Sequence, residues 1–294
     1  MEKVTLRVPA SSANLGPGFD SIGCALTIYN ELTFEKSDNE LEITGCEPQF
    51  CTKENLAYTS YLTACSEWGL PSFNLLINVK ADIPMARGLG SSTAMTVAGI
   101  AAAAALCDKS VAKEEIARVA TIIEGHPDNI APAVYGGLTA SYIGNGVPHT
   151  VNFDMHEKWH FTALIPDFEL STKKAREALP QSVTLKDAVF NISRAAVMLR
   201  ALETGDEKIL HAAVDDRLHQ QYRKPLIDEY DKVEALAREL GAVAFYLSGA
   251  GPTLMCITAD KTFTGKISAR LEKGFNNKWR AVPLNIDREG VTAV

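Results

Sequence analysis

The chain has 294 residues, 46% hydrophobic and 22% charged, a balance that fits one large or two medium folded domains and excludes a low-complexity, disordered chain. A formal net charge of −7 with no long basic run excludes a nucleic-acid binder, and the longest uncharged run, Gly88 to Cys107, is too weakly apolar for a membrane span. The six cysteines form no CxxC pair and the first ten residues carry no apolar signal region, so a cytoplasmic protein with buried, reduced thiols is expected, without a zinc site.

Val4 to Val8 alternates apolar and polar residues and predicts a strand. The following PASSANLGPGFDSIG, Pro9 to Gly23, predicts a structured loop with Asn14 and Asp20 in it. Short strands are expected at Leu26–Glu35 and Leu41–Thr44, joined by Ser37-Asp38-Asn39. A helix follows over 55–68, with Asn55 as its N-cap. Phe73 to Val79 alternates again and predicts a strand that feeds DIPMARGLGSSTAMTVAGIAAAAALC, Asp82 to Cys107. The first half of that stretch is a glycine loop: Pro84, Met85, Ala86, Arg87, Gly88, Leu89, Gly90, Ser91. The second half is an alanine-rich run that predicts a buried helix, with Ser91, Ser92 and Thr93 at the expected N-cap.

A glycine loop opening a helix is an anion site, because the first turn has free N–H groups and partial positive charge. It is not a Walker A loop, since no lysine precedes Ser91. It is not a dinucleotide fingerprint either, since Thr93 stands where the third glycine is needed. Beyond it, Ala112 to Glu124 predicts a helix, and EGHPDNIAPAVYGGL runs from Glu124 to Leu138 with Asp128 and Asn129 placed to cap the next turn.

Gly144 to Pro148 predicts a turn and Asn152 to Lys158 is polar, which sets a domain boundary giving 1–155 and 156–294. The second part opens on a strand, Phe161 to Pro166, then PDFELSTKKAREALP, where Ser171 caps a short helix carrying Lys173, Lys174 and Arg176. Helices are expected at Leu185–Leu202, Glu207–Leu218 and Leu226–Leu240. AFYLSGAGPTLMCI predicts strand, turn, strand, with Gly249 and Gly251 in the turn. A helix at Thr262–Gly274 and a strand at Trp279–Ile286 close the chain, and no internal repeat is present.

Read together, PxxxGLGSSTA at the loop, PASSANLGPGFD before it and SGAGPT after it resemble the three motifs of the GHMP small-molecule kinases, in the family's order and across nearly the whole chain. EGHPDN, STKKAR and the YR pair ending in Arg223 resemble the branch of that family that phosphorylates L-homoserine. The resemblance implies an α+β (α/β two-layer) fold, with an N-terminal ATP-binding domain, a C-terminal ferredoxin-like domain and an active site in the cleft between them. It implies ATP on the glycine loop, with Gly249 and Gly251 packed behind it and Asn55 near the adenine. Glu124 and Ser92 are the candidate Mg²⁺ ligands, a carboxylate and a hydroxyl of the kind Mg²⁺ accepts beside phosphate oxygens.

L-Homoserine is a zwitterion with a primary hydroxyl, so its site needs cations, an anion and a polar orienting group. Arg176 and Arg223 suit the carboxylate through their planar forks. Asp20 suits the ammonium, with Asn14 beside it; the resemblance implies Thr172 at the substrate and suits Asn129 to orienting the hydroxyl toward the γ-phosphate. No base is evident, and the resemblance implies direct attack. The rival readings are a GHMP kinase acting on mevalonate or a sugar, and an ATP-binding regulator without catalysis. No nucleic-acid or membrane partner is expected, and a homodimer is compatible with the sequence.

Overall fold

The computed structural model describes residues 1–294. Two sheets organise it. The first has seven strands, with β1 (Lys3–Ala13), β2 (Ile22–Lys36), β3 (Leu41–Thr44), β4 (Leu75–Ala81) and the short C-terminal β11 (Thr292–Ala293) in the order β11-β1-β2-β4-β3. The hairpin β5 (Leu138–Gly144) and β6 (Val147–Phe153) joins it through β2. The second has four strands: β7 (His160–Pro166), β8 (Ala244–Leu247), β9 (Leu254–Thr258) and β10 (Trp279–Leu284), ordered β10-β7-β9-β8 and antiparallel throughout.

β1 shows why a sequence pattern can stop short of the strand it announces. Val4, Leu6 and Val8 face the core in alternation, but the register shifts between Pro9 and Ala10. Proline brings no N–H to the ladder, and such irregularities are where it is tolerated. Past the bulge every residue to Ala13 is buried, and Ser11 and Ser12 pair opposite Ala25 and Cys24. The expected loop therefore begins five residues late, at Asn14, whose backbone is left-handed (φ 73).

On the first sheet lie α1 (Leu56–Trp68), α2 (Ser91–Leu106), α3 (Lys113–Glu124) and α4 (Ile130–Tyr135). Asn55 caps α1 as expected, accepting from the Ala57 N–H at 3.0 Å. The alanine-rich α2 is buried on nearly every side. Gly99 in its middle lets α1 approach: a Cβ there would fall 2.1 Å from the Ala57 carbonyl oxygen. Small side chains thus let helices pack closely around the anion loop.

The second part carries α5 (Thr172–Glu177), α6 (Leu185–Thr204), α7 (Glu207–Ala213), α8 (Gln220–Arg223), α9 (Tyr230–Glu239) and α10 (Phe263–Leu271). Ser171 caps α5, accepting from Lys174 N–H at 3.2 Å. The helix expected over 207–218 stops at Ala213, because the Asp216 carboxylate takes the N–H groups of Leu218, His219 and Gln220 and folds that stretch into a turn. The helix expected from Leu226 starts at Tyr230, after a 3₁₀ turn at Lys224–Leu226 and a left-handed Glu229 (φ 63).

The four-stranded sheet has two working faces. Phe161, Ala163 and Ile165 of β7 join a large core that also holds Val4, Phe34, Val97 and Leu284, so both sheets share it. Leu164 points the other way, into a smaller core with Val233, Phe245, Phe263 and Ile267 beneath α9 and α10. A short strand not expected from the sequence, β11 (Thr292–Ala293), returns to pair with β1 at Leu6 and Arg7.

Candidate active site

The anion loop links β4 to α2. Gly90, in the left-handed region (φ 71), is the N-cap of α2 and offers no side-chain cap. Ser91, Ser92 and Thr93 are therefore first-turn residues and not the caps expected, and the first turn has no side chain closing over its N–H groups. The glycines answer to protein neighbours. A Cβ on Gly88 would fall 2.4 Å from the Ser248 carbonyl oxygen, and one on Gly90 would fall 2.0 Å from Ser11 Oγ.

The turn between β8 and β9 braces the loop from behind. Ser248 Oγ donates to the Gly88 carbonyl at 2.6 Å, and Thr253 N–H donates to that of Arg87 at 3.3 Å. Gly249 lines the same cavity as the loop, while Gly251 sits off it, against Leu247 and Ile227. Leu89 also turns away, into the core. Arg87 lines the cavity too, and its guanidinium also braces the loop, donating to the carbonyls of Met85, Pro166 and Asp167 and meeting Glu169 at 3.4 Å.

The cavity has a volume of about 700 Å³, within the usual range for small-molecule sites. One region of its wall is apolar, with Phe50, Leu56, Met85, Met95 and Ile123. Phe50, Leu56 and Met85 are exposed large apolar side chains that no local pattern groups together. Asn55 lies beside them, with both polar ends engaged: Oδ1 caps α1 and Nδ2 donates to the Phe50 carbonyl at 2.9 Å.

The remaining wall is polar and draws on both halves of the chain. Asn14, Asp20, Asn129, Thr172, Arg176 and Arg223 all line it, as do Ser92, Glu124, His126 and Asp128. Asp20 and Arg176 form a two-pronged ion pair, at 2.8 and 3.1 Å, which holds the guanidinium in its charged form. Asn14 is a hinge pin: its Nδ2 donates to the Gly249 carbonyl at 3.0 Å and its Oδ1 accepts from Asp20 N–H at 3.0 Å. Asn129 Oδ1 accepts from Ser11 Oγ at 2.8 Å, which leaves its amide N–H₂ as the group to offer a ligand.

Arg223 is 2% exposed. Its Nε donates to the Ala175 carbonyl at 3.2 Å, and its Nη1 to the Gly249 carbonyl at 3.0 Å and to His219 Nδ1 at 3.3 Å. Burial, then the nearby Arg176 charge, lowers its pKa to about 10, still charged at neutral pH. Phe19 lies under both guanidiniums, 5.9 Å from Arg176 and 5.3 Å from Arg223, and stacks on His219.

At the inner end, Glu124 Oε2 accepts from Thr93 Oγ1 at 2.8 Å, while Oε1 is buried with no partner. Burial pushes its pKa up to about 7. A buried acceptor left unpaired is unfavourable and fits a site that completes itself with a cation. Ser92 is on the same wall, but Thr93 is the residue that touches Glu124. His126 Nδ1 and Asp128 Oδ1 lie 2.9 Å apart, and that hydrogen bond raises the imidazole pKa.

Comparison with known proteins settles the family. Residues 55–137 match the model of the GHMP kinases N terminal domain, and 198–277 that of the GHMP kinases C terminal domain. The chain is 40% identical over 294 residues to a homoserine kinase of Clostridium botulinum (strain Alaska E43 / Type E3), covering 99% of this chain and 98% of that one. A second, from C. botulinum (strain Okra / Type B1), is 42% identical over 289 residues, covering 98% and 97%. This chain belongs to the GHMP kinases. The crystal structure of homoserine kinase from Cytophaga hutchinsonii superposes with a TM-score of 0.90 at 25% identity, covering 100% of this chain and 98% of that one.

Several working residues of this GHMP kinase escaped the sequence reading. Ser11 orients Asn129 and abuts Gly90, yet it sits in a strand buried on both faces, where no alternation marks it. Ser248 braces the loop from inside the SGAGPT turn. Phe19 and His219 support the arginines, and their only signal was adjacency to Asp20 and closeness to Arg223.

Proposed function

We propose that this GHMP kinase transfers the γ-phosphoryl group of ATP to the side-chain hydroxyl of L-homoserine, giving O-phospho-L-homoserine, a step in threonine biosynthesis. The observation that carries this is the polar wall, where two guanidiniums, Arg176 and Arg223, and two carboxylates, Asp20 and Asp128, line one cavity with the anion loop. That charge set suits an α-amino acid, whose carboxylate and ammonium both need partners, and neither mevalonate nor a sugar needs both. The homoserine kinases among its relatives support the same reading.

In this reading the apolar wall takes the adenine near Asn55, and the loop from Pro84 to Ser91 holds the phosphates with the first turn of α2. Residues 1–155 supply these and 156–294 supply the arginines, a division by contribution to the site. Glu124, with its unpaired Oε1, and Ser92 would hold Mg²⁺, which neutralises charge on the phosphates. Arg223 takes the substrate carboxylate through Nη2, which has no bond within the chain. Arg176 joins it while its partner Asp20 faces the ammonium. Asn129, aimed by Ser11, directs the hydroxyl at the γ-phosphorus, where positioning and charge stabilisation do most of the work. Asp128 is 3% exposed, with Oδ1 on His126 and on the Asn129 N–H, which supports a wall-shaping role and direct attack, the hydroxyl proton passing to phosphate or solvent. Coupled ADP release with L-homoserine, mevalonate, galactose and L-serine tests the assignment: turnover with homoserine above the others is expected, and preference for mevalonate or galactose, or no turnover at all, refutes it.

A further inference from the structure

All six cysteines are free thiols, and two of them meet. Cys46 and Cys51 have their sulphurs 3.5 Å apart, roughly 1.5 Å longer than the ~2.05 Å of a disulfide. Both are half-buried, and both are anchored. Gly45 ahead of Cys46 lies tight on β4, where a Cβ would fall 2.0 Å from the Val79 carbonyl oxygen. Cys51 closes the 3₁₀ turn Pro48–Phe50 through its N–H to the Pro48 carbonyl at 3.1 Å, and Asn55 holds the Phe50 carbonyl. The segment between the sulphurs is short and tied at each end, which keeps the thiols in contact, and closing the bond brings the sulphurs roughly 1.5 Å nearer.

We propose that Cys46 and Cys51 are a redox-modification site, a dithiol that closes to an intramolecular disulfide and reopens with thiol reductant. The oxidant is a low-molecular-weight disulfide such as oxidised glutathione. Cys51 sulphur, as thiolate, attacks it; a mixed disulfide forms and one glutathione thiolate leaves and takes up a proton. Cys46 then loses its proton and displaces the second glutathione, so two protein thiols are oxidised as one glutathione disulfide becomes two thiols. Burial raises the Cys46 thiol to about 11, so its deprotonation limits this second step and closure speeds up as pH rises. The consequence is local, because Cys46, Gln49 and Phe50 line the cavity beside Asn55. A closed bond holds Phe50's loop in the geometry it already has. Given the placement of adenine proposed above, the bonded form pre-orders that wall for nucleotide.

The test uses the full chain in glutathione buffers of rising oxidation, quenched by alkylation and mapped by peptide mass. The expected product is a Cys46–Cys51 peptide that has lost two hydrogens, escapes alkylation, reopens with dithiothreitol, and forms faster as pH rises. Cys46→Ser should stop at a Cys51–glutathione mixed disulfide, and Cys51→Ser should leave Cys46 alkylatable. Two thiols that stay alkylatable in fully oxidised glutathione overturn the proposal. So does equal bonding of Cys65 to Cys107, whose thiols both turn to the Pro71 carbonyl. The bonded form should show an ATP KM about two- to tenfold lower, the scale of pre-ordering one side chain, with homoserine KM unchanged. An unchanged ATP KM overturns the link to nucleotide, and Phe50→Ala in the reduced protein shows separately whether the base touches this wall.

Discussion

Arg176 and Arg223 look alike in the sequence, but the structure makes them unequal, and their substitutions should show it. Arg223→Lys keeps the charge but not the fork. A lysine head cannot at once reach the Ala175 carbonyl, the Gly249 carbonyl and a substrate carboxylate. Losing one charged hydrogen bond to the substrate is worth about 1.5–3 kcal/mol, or roughly 10- to 150-fold in affinity, so homoserine KM should rise by that factor. Arg223→Ala should do more. It leaves His219 Nδ1 without its donor and strips one of two donors, with Asn14, from the Gly249 carbonyl. The 248–253 turn behind the phosphate loop then loosens, so ATP KM should rise as well. Leaving buried polar groups unpaired costs about 1–3 kcal/mol, and at roughly 2–4 °C per kcal/mol the melting temperature should fall by several degrees. Arg176→Ala breaks only a partly exposed ion pair with Asp20. It should raise homoserine KM by the same 10- to 150-fold while leaving ATP KM and melting temperature near those of the parent. The assay is coupled ADP release with each substrate varied in turn, beside a thermal melt. Equal effects of the two alanine substitutions on ATP KM and melting temperature would refute the claim that Arg223 is the structural member of the pair.

Glu124→Gln removes the carboxylate while keeping its shape, so kcat should drop by about a hundredfold or more with the fold intact by circular dichroism; near-normal turnover would move the metal role elsewhere. Ser11→Ala frees Asn129 from its orienting bond, and kcat for homoserine should fall by about tenfold with ATP KM steady, whereas an effect confined to ATP would sink that assignment. Gly90→Ala drives a methyl into Ser11 Oγ, so both substrates should suffer; a change in ATP KM alone would mean that the loop absorbs the clash without disturbing Ser11. His219 has its pKa lowered from 6.5, chiefly by burial. Its depressed folded value means the stability it lends is present above pH 6.5 and is lost as pH falls, because the unfolded chain takes up the proton first. The melting temperature should decline below pH 6.5, and homoserine KM should climb as His219 ceases to accept from Arg223. His219→Gln should flatten both trends, and trends unchanged by that substitution assign them to another group.

Much of the fold was legible because its signals are local. The Asn55 and Ser171 caps, the alanine helix, the strand at Leu41–Thr44 and the Gly-rich turns announce themselves within a few residues. The polar wall was legible by type, since Asp20, Asn129, Arg176 and Arg223 stand in strings whose family is known. What stayed hidden depends on tertiary contact. Nothing near Ser11 says that a helix cap and an asparagine from the far side of the chain converge on its hydroxyl. Nothing in Arg87 tells a brace from a ligand, because either use needs the same cation beside the same glycines. The end of α7 depended on Asp216 choosing backbone N–H groups over the helix, which composition does not reveal. The close approach of Cys46 to Cys51 is of the same kind, since their spacing matches no motif.

β11 gives the chain a timing problem. The ribosome makes β1 first, yet its partner on one side is Thr292–Ala293. At about 5–20 residues per second, the first strand waits roughly 15–60 s for the last. Through that interval its outer edge, and the part of the shared core that Phe161, Tyr246 and Leu284 will cover, lie open to solvent. The site that joins both halves of the chain is thus assembled late, only after β10 and β11 have been made.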